Sequence, residues 1–234
     1  MKITLPLQRG RLLRRYKRFL AEIETADGEV LTIHCPNSGA MTGCAIPGSI
    51  VHYSDSLNPR RKLRYTLEVV ETPTAMIGVN THRANALVEE ALRGNLIASL
   101  SDFESLSREV PYGQERSRVD FLLRFPDRAC YVEVKNVTLS VGSNVAAFPD
   151  AVSLRGQKHL RELMSMVERG HRAALVYCVS RTDVDSVRAA DEVDPVYAKT
   201  LKEARQSGVE VYALKIDFDL PHLTLVSSIP VLSP

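Results

Sequence analysis

The chain has 234 residues, of which 44% are hydrophobic and 25% charged, and its formal net charge is +2. This composition is ordinary for a folded globular protein, and the length suits two small domains or one large one. No apolar run approaches the roughly 18 residues that cross a bilayer, and the N-terminal sequence lacks the apolar core of a signal peptide. We therefore expect a cytoplasmic protein that makes no membrane contact.

Residues from about 12 to 79 are predicted to form a small all-β module. Turn signals such as Asp27-Gly28, Pro47-Gly48 and Asn58-Pro59 separate short segments with the composition of strands. The predicted strands cover residues 16–24, 30–34, 49–53, 63–71 and 75–79. Five short strands favour an OB-like barrel, which we assign to residues 1–80.

Basic side chains are concentrated at two places in this module, close to the aromatic residues Phe19 and Tyr65. Cations that follow phosphates, interleaved with rings that stack on bases, are typical of a groove for single-stranded nucleic acid. The alternative is that the charges only keep an edge strand from pairing. The predicted nucleic-acid-binding residues are Arg11, Arg14, Arg15, Tyr16, Lys17, Arg18, Arg60, Arg61, Lys62 and Arg64.

The four cysteines are scattered along the chain without a Cys-x-x-Cys pair, which argues against a zinc knuckle or a disulfide framework. His34, Cys35 and Cys44 carry groups that bind metals. A buried free cysteine is the commoner state, so we favour a structural role for them.

A helix is predicted to begin near residue 81 and to end at Gly94. Its apolar stripe consists of Leu87, Val88, Ala91 and Leu92. Glu89 and Glu90 flank this stripe, and either of them could reach a site on a neighbouring sheet. The helical wheel does not choose between the two.

Two successive strands, residues 118–125 and 131–135, are predicted to carry the chemistry. Asp120 alternates with large apolar residues, Val119, Phe121, Leu123 and Phe125, and is expected on the opposite face of its strand. Glu133 and Lys135 share a face of the next strand. Facing carboxylates repel unless a cation lies between them, and hard oxygen ligands suit Mg²⁺ or Mn²⁺.

The remaining segments alternate between helix and strand, with helices at 152–168 and 194–206 and strands at 136–141, 173–179 and 209–216. This order predicts an α/β domain with a mixed sheet, which we assign to residues 81–234. Gln157 lies on the apolar side of its helix and needs a polar partner. His159 has no neighbouring serine, cysteine or acid motif that suggests a catalytic triad, so we interpret it as structural rather than as a general base.

The spacing of Asp120, Glu133 and Lys135 resembles the PD-(D/E)XK nuclease motif, with Val119 in place of the proline. The whole chain resembles the sugar fermentation stimulation protein family of bacteria and archaea. The stretches that carry this likeness are LQRGRLLRRYKRFLAEI from Leu7, HCPNSGAMTGC from His34, GVNTHRANALVEEA from Gly78, YGQERSRVDFLL from Tyr112, YVEVKNVTLS from Tyr131 and FPDAVSLRGQKHLRELM from Phe148.

The resemblance implies an OB-like domain, then a restriction-endonuclease-like domain, and DNA binding without strong sequence preference. Asp120, Glu133 and Lys135 match the family's acidic site, Glu90 best matches its helix acid, and Gln157 matches the downstream helix position. We expect Asp120, Glu133 and the Val134 carbonyl to bind Mg²⁺ or Mn²⁺ for phosphodiester cleavage.

The alternative function is a non-catalytic DNA-binding regulator of sugar, particularly maltose, metabolism. A small-molecule enzyme is disfavoured because no phosphate-binding glycine loop or dinucleotide fingerprint is present. RNA as the partner and assembly into a homodimer are left open by the sequence.

Overall fold

The computed structural model describes residues 1–115 and 117–233. Its N-terminal part contains β1 (Leu7–Tyr16), β2 (Leu20–Thr25), β3 (Val30–His34), β4 (Ile50–Asp55), β5 (Tyr65–Glu71) and β6 (Met76–Gly78). The strands pair in the order β3-β2-β1-β4-β5-β6, and a parallel bridge between His34 and Thr66 joins β3 to β5. This bridge closes the first five strands into a barrel, which confirms the predicted OB-like fold.

The barrel differs from the prediction at its first hairpin. The predicted strand 16–24 is interrupted at Lys17 and Arg18, whose φ angles are 48° and 62°. Two successive residues with positive φ form the tight turn of a β-hairpin, and a Lys-Arg pair does not signal such a turn in a sequence. The residues before the turn form β1, the longest strand of the barrel, which the prediction missed.

The rest of the chain is a mixed α/β domain. Its elements are α1 (Arg83–Arg93), β7 (Ser105–Tyr112), β8 (Ser117–Arg124), β9 (Ala129–Val137), β10 (Leu139–Ser140), β11 (Val145–Phe148), α2 (Leu154–Glu168), β12 (Arg172–Val179), β13 (Ser186–Ala189), α3 (Pro195–Gln206), β14 (Glu210–Asp219) and β15 (His222–Ser228), with a short 3-10 helix at Ala98–Leu100. Six strands form the main sheet in the order β15-β14-β12-β9-β8-β7, in which β12 is parallel to β9 and β14. The mixed sheet was predicted correctly.

The predicted strand 136–141 does not exist as one element. Its first residues extend β9, whereas Leu139 and Ser140 form β10 in a second, three-stranded sheet with β11 and β13. The chain changes sheets at Thr138. The alternation of apolar and polar residues continues through this point, from Val137 to Leu139 and Val141, so the sequence shows no break.

Helices cover both faces of the main sheet. Leu87 and Val88 of α1 pack on one face together with Val132 of β9. Leu160 of α2 and Leu201 of α3 pack on the other face. Both faces of β9 and β12 are therefore buried, as expected for strands in the middle of a three-layer domain. No helix in the described residues is long and apolar enough to span a bilayer.

The regular alternation predicted for β8 is broken at Asp120. Val119 packs on the α2 face of the sheet, whereas Phe121 and Leu123 pack on the α1 face. The ladder between β8 and β9 ends at the pair formed by Phe121 and Val132. Beyond this pair the two strands separate, so the prediction of one apolar face containing Val119 is wrong.

A buried ion pair connects the barrel to α1. The Glu68 carboxylate on β5 accepts hydrogen bonds from the Arg83 guanidinium at 2.7 and 3.0 Å, from Asn80 Nδ2 at 2.8 Å and from Ser54 Oγ at 2.7 Å. Because Arg83 is the first residue of α1, this network fixes the start of the helix against the barrel.

Candidate functional site

A cavity of about 400 Å³ lies between the barrel and the main sheet. Asp120, Glu133 and Lys135 lie along the sheet side of this cavity, at the point where β8 and β9 separate. The barrel contributes a second wall. Other lining residues include Arg18, Asn37, Ser38, Gly39, Thr81, Asn85, Asn136, Asp150, Ser153 and Arg155.

Asp120 is held by two hydrogen bonds in which its carboxylate is the acceptor. Val134 donates its backbone N–H to Oδ2 at 2.7 Å, and Asn85 donates from Nδ2 to Oδ1 at 2.8 Å. The Asp120 side chain thus accepts the Val134 N–H at the point where the backbone ladder between β8 and β9 has ended. Burial, followed by the charge of Glu133, raises the pKa of Asp120 to about 6. A cation between the two carboxylates would relieve both effects.

Glu133 is the more deeply buried acid, with 2% of the residue exposed. Its Oε1 accepts a hydrogen bond from Lys135 Nζ at 2.7 Å and also contacts Nδ1 of His159. Its Oε2 is buried and has no hydrogen-bond partner in the described residues. Burial opposes ionisation, but the Lys135 charge and the contacts with His159 outweigh it and lower the pKa of Glu133.

His159 belongs to this cluster, so the side chain that the sequence analysis interprets as structural lies beside Glu133. The ring is buried on α2, with Nδ1 3.1 Å from Lys135 Nζ and Nε2 3.3 Å from Arg155 Nε. The sequence carried one signal of this placement, since His159 lies one turn before the buried Leu163 and so faces the sheet. Nothing local indicated that it would meet Glu133.

The acid predicted on α1 does not reach the cavity. Glu90 is 58% exposed and forms an ion pair with the amino group of Met1, at 2.6 Å. Its alternative, Glu89, pairs with Arg93 and Arg108. The helix contributes Asn85 instead, because only its first turns lie beside Asp120. An asparagine supplies neither a charge nor a strong metal ligand, so its residue type alone does not indicate a metal site.

Gln157 is also directed away from the cavity. Its Nε2 donates to both carboxylate oxygens of Asp194, at 2.9 and 3.0 Å. Asp194 caps α3 by accepting the backbone N–H of Tyr197, and it accepts the N–H of Ser153 as well. The inward orientation of Gln157 was predicted correctly, but its partner joins α2 to α3 rather than completing a metal site.

The segment from residue 36 to residue 41 forms the barrel wall of the cavity. Arg15 donates to the carbonyl oxygens of Asn37 and Gly39 at 2.9 and 2.8 Å, and the Met41 N–H donates to Asp150 Oδ2 at 3.0 Å. A Cβ on Gly39 would lie 2.3 Å from the same Asp150 oxygen. A side chain here would displace the Asp150 carboxylate and break its hydrogen bond with the Met41 N–H, so glycine permits the contact that holds the segment over the site.

The predicted nucleic-acid-binding residues differ in their surroundings. Arg14, Arg15 and Arg64 have intramolecular partners, namely Glu22, the carbonyl oxygens of the 36–41 segment and Asp55. Arg18 lines the cavity, and Tyr16 lies against the Arg14 guanidinium. Arg61 contacts His34. Among the described residues, no partner was found for the side chains of Arg11, Lys17, Arg60 and Lys62, which are exposed.

The cations outside these ion pairs lie mainly in two loops of the barrel. Lys17 and Arg18 form the connection between β1 and β2, next to Phe19, whose ring is exposed. Arg60, Arg61 and Lys62 lie in the connection between β4 and β5. These two loops are the ones with which OB-folds bind oligonucleotides.

The donors in the cavity fit a hard divalent cation such as Mg²⁺. The described residues contain no cluster of three or more His, Cys, Asp or Glu arranged for a metal. Two carboxylates and a backbone carbonyl nevertheless suit Mg²⁺ or Mn²⁺, because Mg²⁺ commonly keeps several waters and uses one or two carboxylates. The unpartnered Glu133 Oε2 and the raised pKa of Asp120 are the observations that fit a cation at this place.

Asp120→Asn is expected to stabilise the metal-free protein. The folded pKa of about 6 exceeds the ordinary value of 3.8, so the stability that the protonated acid contributes is lost as the pH rises from about 4 to about 6. At pH 8 the amide removes a penalty of about 1 to 3 kcal/mol, which is a rise in Tm of roughly 2 to 10 °C. Both hydrogen bonds are kept if the new amide oxygen accepts the Val134 N–H and its NH2 group donates to Asn85, whose own amide turns over. Melting with EDTA at pH 8 measures this, and added Mn²⁺ should stabilise only the wild type.

The exposed Asp127 supplies the control, because Asp127→Asn makes the same chemical change outside the cavity. Its Tm should stay close to that of the wild type. An unchanged or lower Tm in Asp120→Asn at pH 8 would show that the carboxylate is not destabilising.

Family comparisons agree with the two-part architecture. A model described as the sugar fermentation stimulation protein RE domain matches residues 82–222, and one described as the SfsA N-terminal OB domain matches residues 13–79. A sugar fermentation stimulation protein homolog of Pseudomonas fluorescens is 59% identical over 91% of both chains. The homolog of Pseudomonas aeruginosa is 54% identical over 99% of both chains.

A solved structure covers nearly the whole fold. The structure of Pyrococcus furiosus SfsA in complex with Ca²⁺ has a TM-score of 0.87 and 27% sequence identity, over 99% of this chain and 98% of that one. Together these matches confirm an OB domain followed by a restriction-endonuclease-like domain.

Proposed function

We propose that this chain, which belongs to the sugar fermentation stimulation protein family, binds DNA and cleaves phosphodiester bonds with a divalent cation. The observation that carries this proposal is the cluster of Asp120, Glu133 and Lys135. Two acids whose charges oppose each other, one of them buried with an unpartnered oxygen, lie beside a largely buried lysine in an accessible cavity. This arrangement resembles the metal-assisted hydrolysis template.

Asp120, Glu133 and the carbonyl of Val134 would hold Mg²⁺ or Mn²⁺. The bound cation supplies a Lewis acid and lowers the pKa of a coordinated water. Lys135 Nζ, held 2.7 Å from Glu133 Oε1, orients the attacking water and balances charge on the phosphate. The Pyrococcus furiosus protein was solved in complex with Ca²⁺, which supports a divalent site in the family because Ca²⁺ also binds hard oxygen ligands.

The barrel loops would hold the substrate backbone. Arg60, Arg61 and Lys62 carry cations outside the cavity, whereas Arg18 carries one into it from the connection between β1 and β2. A nucleic acid bound along these loops would pass from the barrel toward Asp120. Contacts with phosphates imply little sequence preference. DNA is the proposed partner, and RNA is included in the test because its backbone carries the same phosphates.

A cleavage assay tests the proposal directly. Supercoiled DNA, linear duplex, single-stranded DNA, branched DNA and RNA are each incubated with Mg²⁺, Mn²⁺ or EDTA. We expect cleavage of at least one DNA with Mg²⁺ or Mn²⁺ and none with EDTA. Binding without cleavage under every condition would instead favour the second candidate, a non-catalytic DNA-binding regulator, which the exposed loop cations support equally well.

Replacing Arg60, Arg61 and Lys62 together by alanine should weaken DNA binding and its salt dependence. Each lost phosphate contact lowers the slope of log K against log salt by roughly 0.9 for duplex DNA, so the slope should fall by about 2 to 3. Fluorescence anisotropy at several salt concentrations measures it. The matched control removes three exposed cations from α3, Lys199, Lys202 and Arg205. Equal slopes in both triple variants would exclude the β4–β5 loop from the interface.

A further inference from the structure

His159 links Glu133 to the surface of α2, and its role is not accounted for by the three motif residues. The ring is buried, its Nδ1 contacts Glu133 Oε1, and its Nε2 faces Arg155 Nε at 3.3 Å. Both nitrogens therefore have a defined partner. Such an arrangement is characteristic of a side chain that orients a ligand rather than one that binds the ligand itself.

The partners of the ring determine which nitrogen carries the proton. The Nε of an arginine side chain can only donate a hydrogen bond, so His159 Nε2 must accept from Arg155. A neutral ring with an unprotonated Nε2 carries its proton on Nδ1. Nδ1 then donates to Glu133 Oε1. Lys135 Nζ lies 3.1 Å from the same Nδ1, but it donates to Glu133 Oε1 at 2.7 Å rather than to the ring.

These two donors occupy one oxygen of the Glu133 carboxylate and leave the other free. Oε2 is buried and has no hydrogen-bond partner among the described residues. A buried carboxylate oxygen without a partner is costly unless a cation completes its environment. The donors on Oε1 also prevent the carboxylate from rotating, because rotation would break both hydrogen bonds.

We propose that His159 is a positioning residue, in the neutral Nδ1–H tautomer, that holds Glu133 so that Oε2 faces the divalent cation. Arg155 sets this tautomer from the opposite side of the ring. The inference rests on the proposed metal-dependent function, which supplies the cation. It adds to that function a residue outside the motif and defines which oxygen of Glu133 binds the metal.

Two variants separate positioning from packing. In His159→Asn the amide Nδ2 occupies nearly the place of the ring Nδ1 and can donate to Glu133, whereas His159→Leu fills the space without a donor. We expect His159→Leu to weaken Mn²⁺ affinity by about 10- to 100-fold, the usual effect of losing an outer partner of a metal ligand. His159→Asn should retain most of the affinity. Isothermal titration calorimetry measures both, with melting curves to verify folding.

The tautomer is tested without metal or activity. Long-range ¹H–¹⁵N correlation spectra of the metal-free protein distinguish a ring protonated on Nδ1 from one protonated on Nε2. The Nδ1–H pattern is expected in the wild type, with loss of the single tautomer in Arg155→Ala. An Nε2–H pattern in the wild type would overturn the inference.

The outcomes separate the inference from the proposed function. If the wild type binds Mn²⁺ and His159→Leu binds it equally well, the positioning role is excluded and the proposed function stands. If His159→Leu unfolds, His159→Asn decides, because a folded Asn variant that loses affinity 10-fold or more contradicts the donor role. If the wild type binds neither Mn²⁺ nor Mg²⁺, both the proposed function and the inference fail.

Discussion

Lys135→Met is expected to reduce the rate of metal-dependent cleavage by roughly 10²- to 10⁴-fold. This is the usual contribution of a side chain that transfers a proton to or from a reacting group. The ammonium is largely buried and lies 2.7 Å from Glu133 Oε1. Methionine keeps the length and apolar stem of lysine but removes the ammonium that donates to this carboxylate. The rate of cleavage under saturating Mn²⁺, measured on the substrate identified by the assay above, gives the effect.

A second consequence of this variant concerns Glu133. Burial opposes ionisation of this acid, and the Lys135 charge is the first of the groups that lower its pKa. Without the lysine we expect the pKa of Glu133 to rise, so metal affinity should be lost progressively at lower pH. Calorimetric titration with Mn²⁺ at pH 6 and pH 8 measures this loss of affinity. The cleavage rate at saturating metal measures the other effect separately.

Lys215→Met is the matched control. Lys215 also lies on the main sheet, is only partly exposed and pairs with a carboxylate, that of Asp185. It does not line the cavity. Its replacement should leave cleavage within a factor of two or three, an estimate based on the small effects of surface charges. A Lys135→Met protein as active as this control would exclude Lys135 from the reaction.

Arg83→Met is expected to lower the free energy of unfolding by about 3 to 5 kcal/mol, since it leaves a buried carboxylate without its counter-ion. The Glu68 side chain is 1% exposed, and Arg83 supplies two of its hydrogen bonds. Ser54 and Asn80 remain as donors in the variant, but neither neutralises the charge. Urea denaturation measures the loss, and a second transition would indicate that the barrel and sheet unfold separately.

Two controls accompany this prediction. Arg161→Met breaks an ion pair with Glu115 in which both side chains are about half exposed, and it should cost less than about 1 kcal/mol. Glu68→Gln combined with Arg83→Met removes the orphaned charge and should recover part of the stability. If Arg83→Met lowers the free energy of unfolding no more than Arg161→Met does, the network between the barrel and α1 does not stabilise the fold.

The sequence alone determined the residues of the acidic cluster and the class of both domains. Glu133 and Lys135 were identified because strand periodicity places residues two apart on one face, and such local geometry does not depend on the rest of the fold. Asp120 was identified from its spacing to this pair, since the alternation of β8 breaks at that residue. The barrel was identified from turn signals, which are also local. The missed hairpin at Lys17 and Arg18 shows the limit, because positive φ there leaves no mark in the residue types.

Only the tertiary structure decided which other side chains meet these three. His159 reaches Glu133, and Asn85 rather than Glu90 reaches Asp120, because the axial position and tilt of a helix on a sheet are set by packing over its whole face. A helical wheel gives the angle of a residue but not its height along the sheet. The barrel wall of the cavity, including Arg18, likewise depends on how the barrel and the α/β domain dock through contacts such as that between Met41 and Asp150. Docking of this kind depends on residues that are far apart in the chain, and no local pattern records it.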